Sequence, residues 1–271
     1  MFGDFGLADY LAIHCANIDY LCRQEFRDNI LVSERDYVSS LSSRIRDFCR
    51  GKFPCHAQTL RQQVEMENGV DGIIIFRFQD QVKVGWYEAK RPRINLADYH
   101  WDYIPRHKSV SHFSEQILNQ HKWEGSLALW EMFLNEQPSG HSCPPFDAYG
   151  SSCVWHKNAF DFMKTEGIIF ERWTTDKLKE LLDASGVNFY SIIFDIISCR
   201  KGKRFTIGKS VRYVRVTNSK NSEETLEIPL PGDVDGRIDA TYSDDRINAF
   251  MKERNIAGYF YIDLAGRTRN E

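Results

Sequence analysis

Residues 70–93 read VDGIIIFRFQDQVKVGWYEAKRPR. Two runs rich in β-branched and aromatic residues, Val70 to Phe78 and Val82 to Lys90, are separated by Gln79, Asp80 and Gln81, the pattern of an antiparallel hairpin. If Phe78 pairs with Gln81, successive pairs climb until Asp71 stands opposite Glu88, and the two-residue period of a strand brings Lys90 to the same face. Ile73, Ile75, Val82, Val84 and Trp86 share that face, an apolar surface with two carboxylates and an ammonium at one end. The turn lacks the glycine that a tight hairpin favours, so the register rests on the strands. Charged side chains in such a place are paired or metal-bound. The residues alone fit either a strand-end ion pair or a cation site.

An acidic residue opening one strand and Glu-x-Lys closing the next resembles the active-site signature of the PD-(D/E)XK nuclease superfamily, the restriction-endonuclease-like fold. The matching positions are Asp71, Glu88 and Lys90, with Ala89 between the last two; Val70 stands where the pattern's name has proline. The resemblance implies an α/β fold with a central mixed β-sheet flanked by helices in αβββαβ order. It implies Mg²⁺, for which Mn²⁺ substitutes, held by Asp71, Glu88 and the Ala89 carbonyl. It further implies hydrolysis of phosphodiester bonds in nucleic acid, DNA ahead of RNA, with endonuclease action expected. Lys90 then positions or deprotonates the attacking water, or stabilises the developing charge.

Upstream, apolar residues recur at helical spacing from Phe5 to about Arg27, and Ser33 followed by Glu34 and Asp36 marks a second helix start with acids in its first turn. In the superfamily an acid on the first core helix often faces the metal; Glu34 is the matching candidate, ahead of Asp36, and each is also what a helix N-terminus favours. A strand is expected from Ala57 to Glu65. Downstream, Arg91 to Lys108 mixes basic and aromatic residues, suited either to gripping phosphate and stacking bases or to forming a lid packed on the core.

Ser109 to Glu136 reads as one long helix carrying Gln116 and Gln120 on one face. They resemble glutamines that project toward the site in several branches of the superfamily, and amides orient water and phosphate without adding charge. Ser151 to His156 reads as a strand, Thr174 to Ala184 as a helix, and Asn188 to Cys199 as an apolar strand. Residues 196–222 hold no acid but contain Arg200, Lys201, Lys203 and Arg204 among their bases. As a basic-rimmed ribbon they would contact a nucleic-acid backbone together with Arg91 and Arg93; otherwise they are a solvated surface. An acidic run from Asp233 to Asp245, a short helix near Arg246 to Arg254 and a final strand, Gly258 to Leu264, close the chain.

The expected organisation is an N-terminal helical extension over 1–28, a nuclease core over 29–199, and a basic β-rich segment with C-terminal elaboration over 200–271. A net charge of −3 with 27% charged and 42% apolar residues describes a folded globule whose overall charge favours no polyanion. No apolar run reaches the roughly 18 residues of a membrane span, and no basic start leads into an apolar core, so a cytoplasmic protein without a membrane partner is expected. Seven cysteines fit reduced thiols. His141, Cys143, Cys153 and His156 are possible zinc ligands at a spacing that matches no standard site. No Walker-type loop or EF-hand is present. A homodimer, a catalytically inactive nucleic-acid-binding or adaptor protein of the same fold, an RNA-directed nuclease and an unrelated enzyme that happens to hold Glu-x-Lys are the alternatives carried forward.

Overall fold

The computed structural model describes residues 2–60, 70–91, 101–134, 152–208, 211–232 and 244–265. In chain order the elements are α1 (Phe5–Arg27), α2 (Glu34–Cys49), β1 (Cys55–Thr59), β2 (Gly72–Phe78), β3 (Gln81–Lys90), α3 (His112–Gln120), β4 (Ala128–Phe133), β5 (Ser152–Trp155) and α4 (His156–Thr165). Then follow α5 (Thr175–Ser185), β6 (Gly186–Val187), α6 (Phe189–Ile197), β7 (Phe205–Thr206), β8 (Tyr213–Thr217), β9 (Thr225–Pro229), α7 (Asp245–Arg254) and β10 (Gly258–Asp263). The protein is α/β, a mixed central sheet with helices on its faces.

The hairpin has the expected register: Phe78 pairs with Gln81, Ile75 with Val84, and Gly72 with Tyr87. Gln79 turns the chain at φ +58° without a glycine, a strained choice. Two bonds hold it, Arg77 Nε to the Gln79 carbonyl at 2.8 Å and Ile207 N–H to the Asp80 carbonyl at 2.7 Å. Sheet order is β1-β10-β2-β3-β4-β5-β6, with β7 pairing the start of β3. The C-terminal strand β10 therefore lies inside the sheet, parallel to β2 and antiparallel to β1. The boundary expected at residue 200 thus does not set the last strand apart from the core. Strand β1 begins two residues before the expected start, and 61–65 lie outside the described residues.

Two expected elements are corrected. The long helix over 109–136 is instead α3, a single 3₁₀ turn at His121–Trp123, and strand β4 parallel to β3. Gly125 at φ +83° breaks the helix, and every residue of Ala128–Phe133 is buried, as in a central strand covered on both faces. The strand expected over 188–199 is helix α6. Asn188 caps it by accepting the Ser191 N–H at 2.9 Å, and Phe189, Ile192, Ile193, Ile196 and Ile197 form a buried helical stripe against α1.

One face of the sheet packs against α1, α2 and α6 through Ile74, Phe76, Tyr87, Ala89, Trp130 and Met132. The other carries Ile73, Ile75, Val82, Val84 and Trp86 under α7 and the β8–β9 ribbon, and Phe133 and Val154 under α3, α4 and α5. On the first face the Tyr87 ring stacks on Trp130 at 5.1 Å and lies over Gly72, where an added Cβ would come within 2.1 Å of the ring. We expect Gly72→Ala to destabilise the fold by about 3 kcal/mol, the cost of overpacking a rigid stack. Denaturant unfolding checks it: a change within about 0.5 kcal/mol would mean that Tyr87 moves aside freely.

Candidate active site

Asp71, just ahead of β2, is tied through its backbone to both neighbouring strands. Its N–H donates to the Tyr87 carbonyl at 2.9 Å, and its own carbonyl accepts from Ala257 at 2.8 Å and Gly258 at 3.0 Å. The insertion of β10 therefore helps to fix the first acid of the site. The Asp71 carboxylate turns toward β3, where Oδ2 accepts the Ala89 N–H at 2.8 Å.

Glu88 and Lys90 stand on the same strand and face. Lys90 Nζ is 2.5 Å from Glu88 Oε1, with side chains only 12% and 3% exposed, and the ammonium lies 5.6 Å from the Phe113 ring centre. Gln116, on α3, donates from Nε2 to the same Glu88 oxygen at 2.6 Å, while its own Oε1 is buried without a partner. From the first turn of α2, Glu34 Oε1 accepts the Arg91 N–H at 2.9 Å. Asp36 serves the helix cap instead, accepting from Ser33 Oγ at 2.8 Å. Asp71, Glu88, Lys90, Gln116 and Glu34 thus converge at one end of the hairpin. Gln120, one turn beyond Gln116, is buried on the same helix face.

The electrostatics reflect burial with too little positive charge. Burial pushes the Asp71 carboxyl up to about 6, against the pull of Lys90 and with Glu34 adding repulsion. Glu88 is pushed up to about 8 by burial and then by the negative charge of Asp71, with Lys90 opposing. Burial works against the charged form of Lys90, but Glu88, Glu34 and Asp71 outweigh it and hold the ammonium above its ordinary range.

One side chain here escaped the sequence reading. The parallel register sets Glu131 of β4 beside Glu88, fully buried, and its Oε1 lies 2.9 Å from Nδ1 of His156 at the start of α4. Reading 109–136 as a helix hid Glu131, whose alternation within a buried strand would have placed it on the Phe133 face. The proposed zinc set does not assemble as expected: Cys153 packs on the α1 face while His156 meets Glu131 on the other. His141 and Cys143 lie outside the described residues.

The end of the basic segment that enters β7 is not at the site. β7 pairs with Gln81 and Val82 at the opposite end of β3 from Lys90, roughly 25 Å away at about 3.3 Å per residue. The Lys203 N–H donates to the Ser126 carbonyl at 3.0 Å, just ahead of β4, and Arg204 follows it into β7. The Arg200 guanidinium lies over Phe194 and Phe5, and Lys201 over Trp155, side chains of the α1 and α6 face. Arg91 remains beside the site, its guanidinium donating to the Val32 carbonyl; Arg93 lies outside the described residues. In the 91–108 stretch, Trp101 packs in the core against Phe133, and Tyr103 stacks on His112 at 4.9 Å, so these two rings serve packing.

Among the described residues no group of three or more His, Cys, Asp or Glu side chains is arranged to hold a metal ion. The donors on hand for a hard cation are two carboxylates, the Ala89 carbonyl and the orphaned Gln116 amide oxygen, all oxygens of the kind Mg²⁺ prefers. No helix among the described residues is long and apolar enough to cross a membrane. Comparison of the chain with protein-family models, with curated proteins and with solved structures finds no match.

Proposed function

We propose that this protein is a metal-dependent nuclease of the PD-(D/E)XK type, hydrolysing phosphodiester bonds of nucleic acid, DNA in preference to RNA. The observation that carries the reading is the meeting of Asp71 with the Glu88–Lys90 pair and Gln116 at one hairpin end. Its support in the fold is the order α2-β1-β2-β3-α3-β4, with β4 parallel to β3. An isolated strand-end ion pair would account for Glu88 and Lys90. It would not account for a second, half-buried carboxylate whose repulsion raises the first.

Asp71, Glu88 and the Ala89 carbonyl would hold the divalent cation, which when bound supplies Lewis-acid activation of water and of the phosphate. The chain's own residues do the rest. Lys90, beside Glu88, would act on the attacking water or on the developing negative charge. Gln116 fixes the Glu88 carboxylate through Nε2 and leaves Oε1 to accept a hydrogen bond from water. Glu34 steadies the chain after β3 through the Arg91 N–H.

The test is incubation with plasmid and single-stranded DNA and with RNA, in Mg²⁺, in Mn²⁺ and in chelator. Divalent-dependent cleavage is expected; binding without cleavage would favour the adaptor alternative. A second expectation concerns affinity. Neutralising Lys203 and Arg204 together should leave the salt slope of short-oligonucleotide binding unchanged, because they lie at the β7 end of the sheet. Arg91→Ala should lower the slope by about 1. A fall of about 2 in that double variant would move the interface to the β7 end.

A further inference from the structure

His156 and His121 form a second constellation that the hydrolytic site does not use. His156 is 1% exposed, and in the tautomer whose Nδ1–H donates to Glu131 its Nε2 carries a free lone pair. That Nε2 is buried without a partner, and so is Nδ1 of His121, in the 3₁₀ turn after α3. The His121 ring is clamped flat on Phe160, with centroids 3.4 Å apart at 5°. The two imidazole centroids are 5.5 Å apart and tilted by 34°. With metal–nitrogen bonds of about 2.0–2.1 Å, two imidazoles sharing one tetrahedral ion have centroids about 5.2 Å apart. A carboxylate on the far nitrogen of a ligating histidine is also the common support of such a site.

We propose that His121 and His156 form a transition-metal site of the zinc class, with Glu131 as the positioning residue of His156 and the remaining coordination positions open to solvent or to an oxyanion. Two imidazoles select zinc-class ions over Mg²⁺, so the site is chemically distinct from the oxygen donors around Asp71. A bound ion would join the end of α3, which carries Gln116, to the start of α4. This site stands whether or not the chain cleaves nucleic acid.

The test is titration of the metal-free, full-length protein with Zn²⁺, and with Co²⁺ as an optical probe, in excess Mg²⁺. Wild type should take up one equivalent per chain with a tetrahedral-type Co²⁺ spectrum, and Asp71→Asn should do the same. His121→Phe, which keeps a ring on Phe160 but removes the ligand, should weaken binding at least tenfold, as should His156→Gln. Failure of wild type to bind, or an equivalent that His121→Phe leaves unchanged, overturns the proposal. Loss in Asp71→Asn with retention in His121→Phe would assign the ion to the hydrolytic site instead.

Discussion

Asp71→Asn, Glu88→Gln and Lys90→Met should each lower cleavage by a factor on the order of 10³ or more, the effect of removing a group that acts on the transition state. The substitutions preserve volume, so their consequences for folding differ in a way the contacts dictate. The amide introduced by Asp71→Asn retains an oxygen for the Ala89 N–H, and that introduced by Glu88→Gln retains one for Gln116 and Lys90, so both variants should fold normally. Lys90→Met is different, because it strips the nearest cation from Glu88 in a place only 3% exposed. Breaking a buried pair on one side costs about 3–5 kcal/mol where the remaining charge persists. Above the Glu88 value of about 8, where that carboxylate is ionised, the double variant Glu88→Gln/Lys90→Met should therefore regain stability relative to Lys90→Met while remaining inactive. Activity assays beside denaturant unfolding separate the two roles. Wild-type rates in all three single variants would sink the nuclease reading.

The hairpin was legible because its two strands alternate so cleanly that one pairing, Phe78 with Gln81, fixes every other. From it follow the meeting of Asp71 with Glu88 and Lys90 and the face shared by Ile73, Ile75, Val82, Val84 and Trp86. Helix α2 was legible through Ser33 and its acids, α5 through Thr174. What failed were short apolar runs whose period is ambiguous. LALWEMF suits a helix or a strand buried on both faces, and only the break at Gly125 and the ladder with β3 decide it. FYSIIFDII looks like a strand through its isoleucines, yet Phe189, Ile192, Ile193, Ile196 and Ile197 are spaced for a helix, with Asn188 as its cap. Misreading β4 concealed Glu131, since its place beside Glu88 depends on a parallel register that cannot be drawn from a helix. The insertion of β10 between β1 and β2 was beyond reach for another reason: long-range pairing of a terminal strand leaves no local signature.

Without metal, the protein should lose stability as pH rises from about 4 to about 8. Asp71 and Glu88 have folded-state pKa values above their ordinary ones, at about 6 and about 8. For such groups the stabilisation is fully present below the unfolded pKa, where both states are protonated, and is lost as pH rises through the folded value. The loss should be steepest up to about pH 6, where both carboxyls take part, continue less steeply through Glu88 to about pH 8, and reach a few kcal/mol in total. In a chain of this size that lowers the melting midpoint by roughly 5–10 °C. Lys90 does not enter this window, because its raised pKa moves its own loss to more alkaline pH. Saturating Mg²⁺ should flatten or invert the slope, since a cation binds the ionised carboxylates and releases their protons. Glu88→Gln should remove the component between about pH 6 and 8 with or without metal. Melting curves at pH 5.5, 7 and 8.5, in chelator and in Mg²⁺, read the effect directly. A midpoint that stays level or rises with pH in chelator would mean that the two carboxylates ionise without strain, and a cation would then have no excess negative charge to relieve.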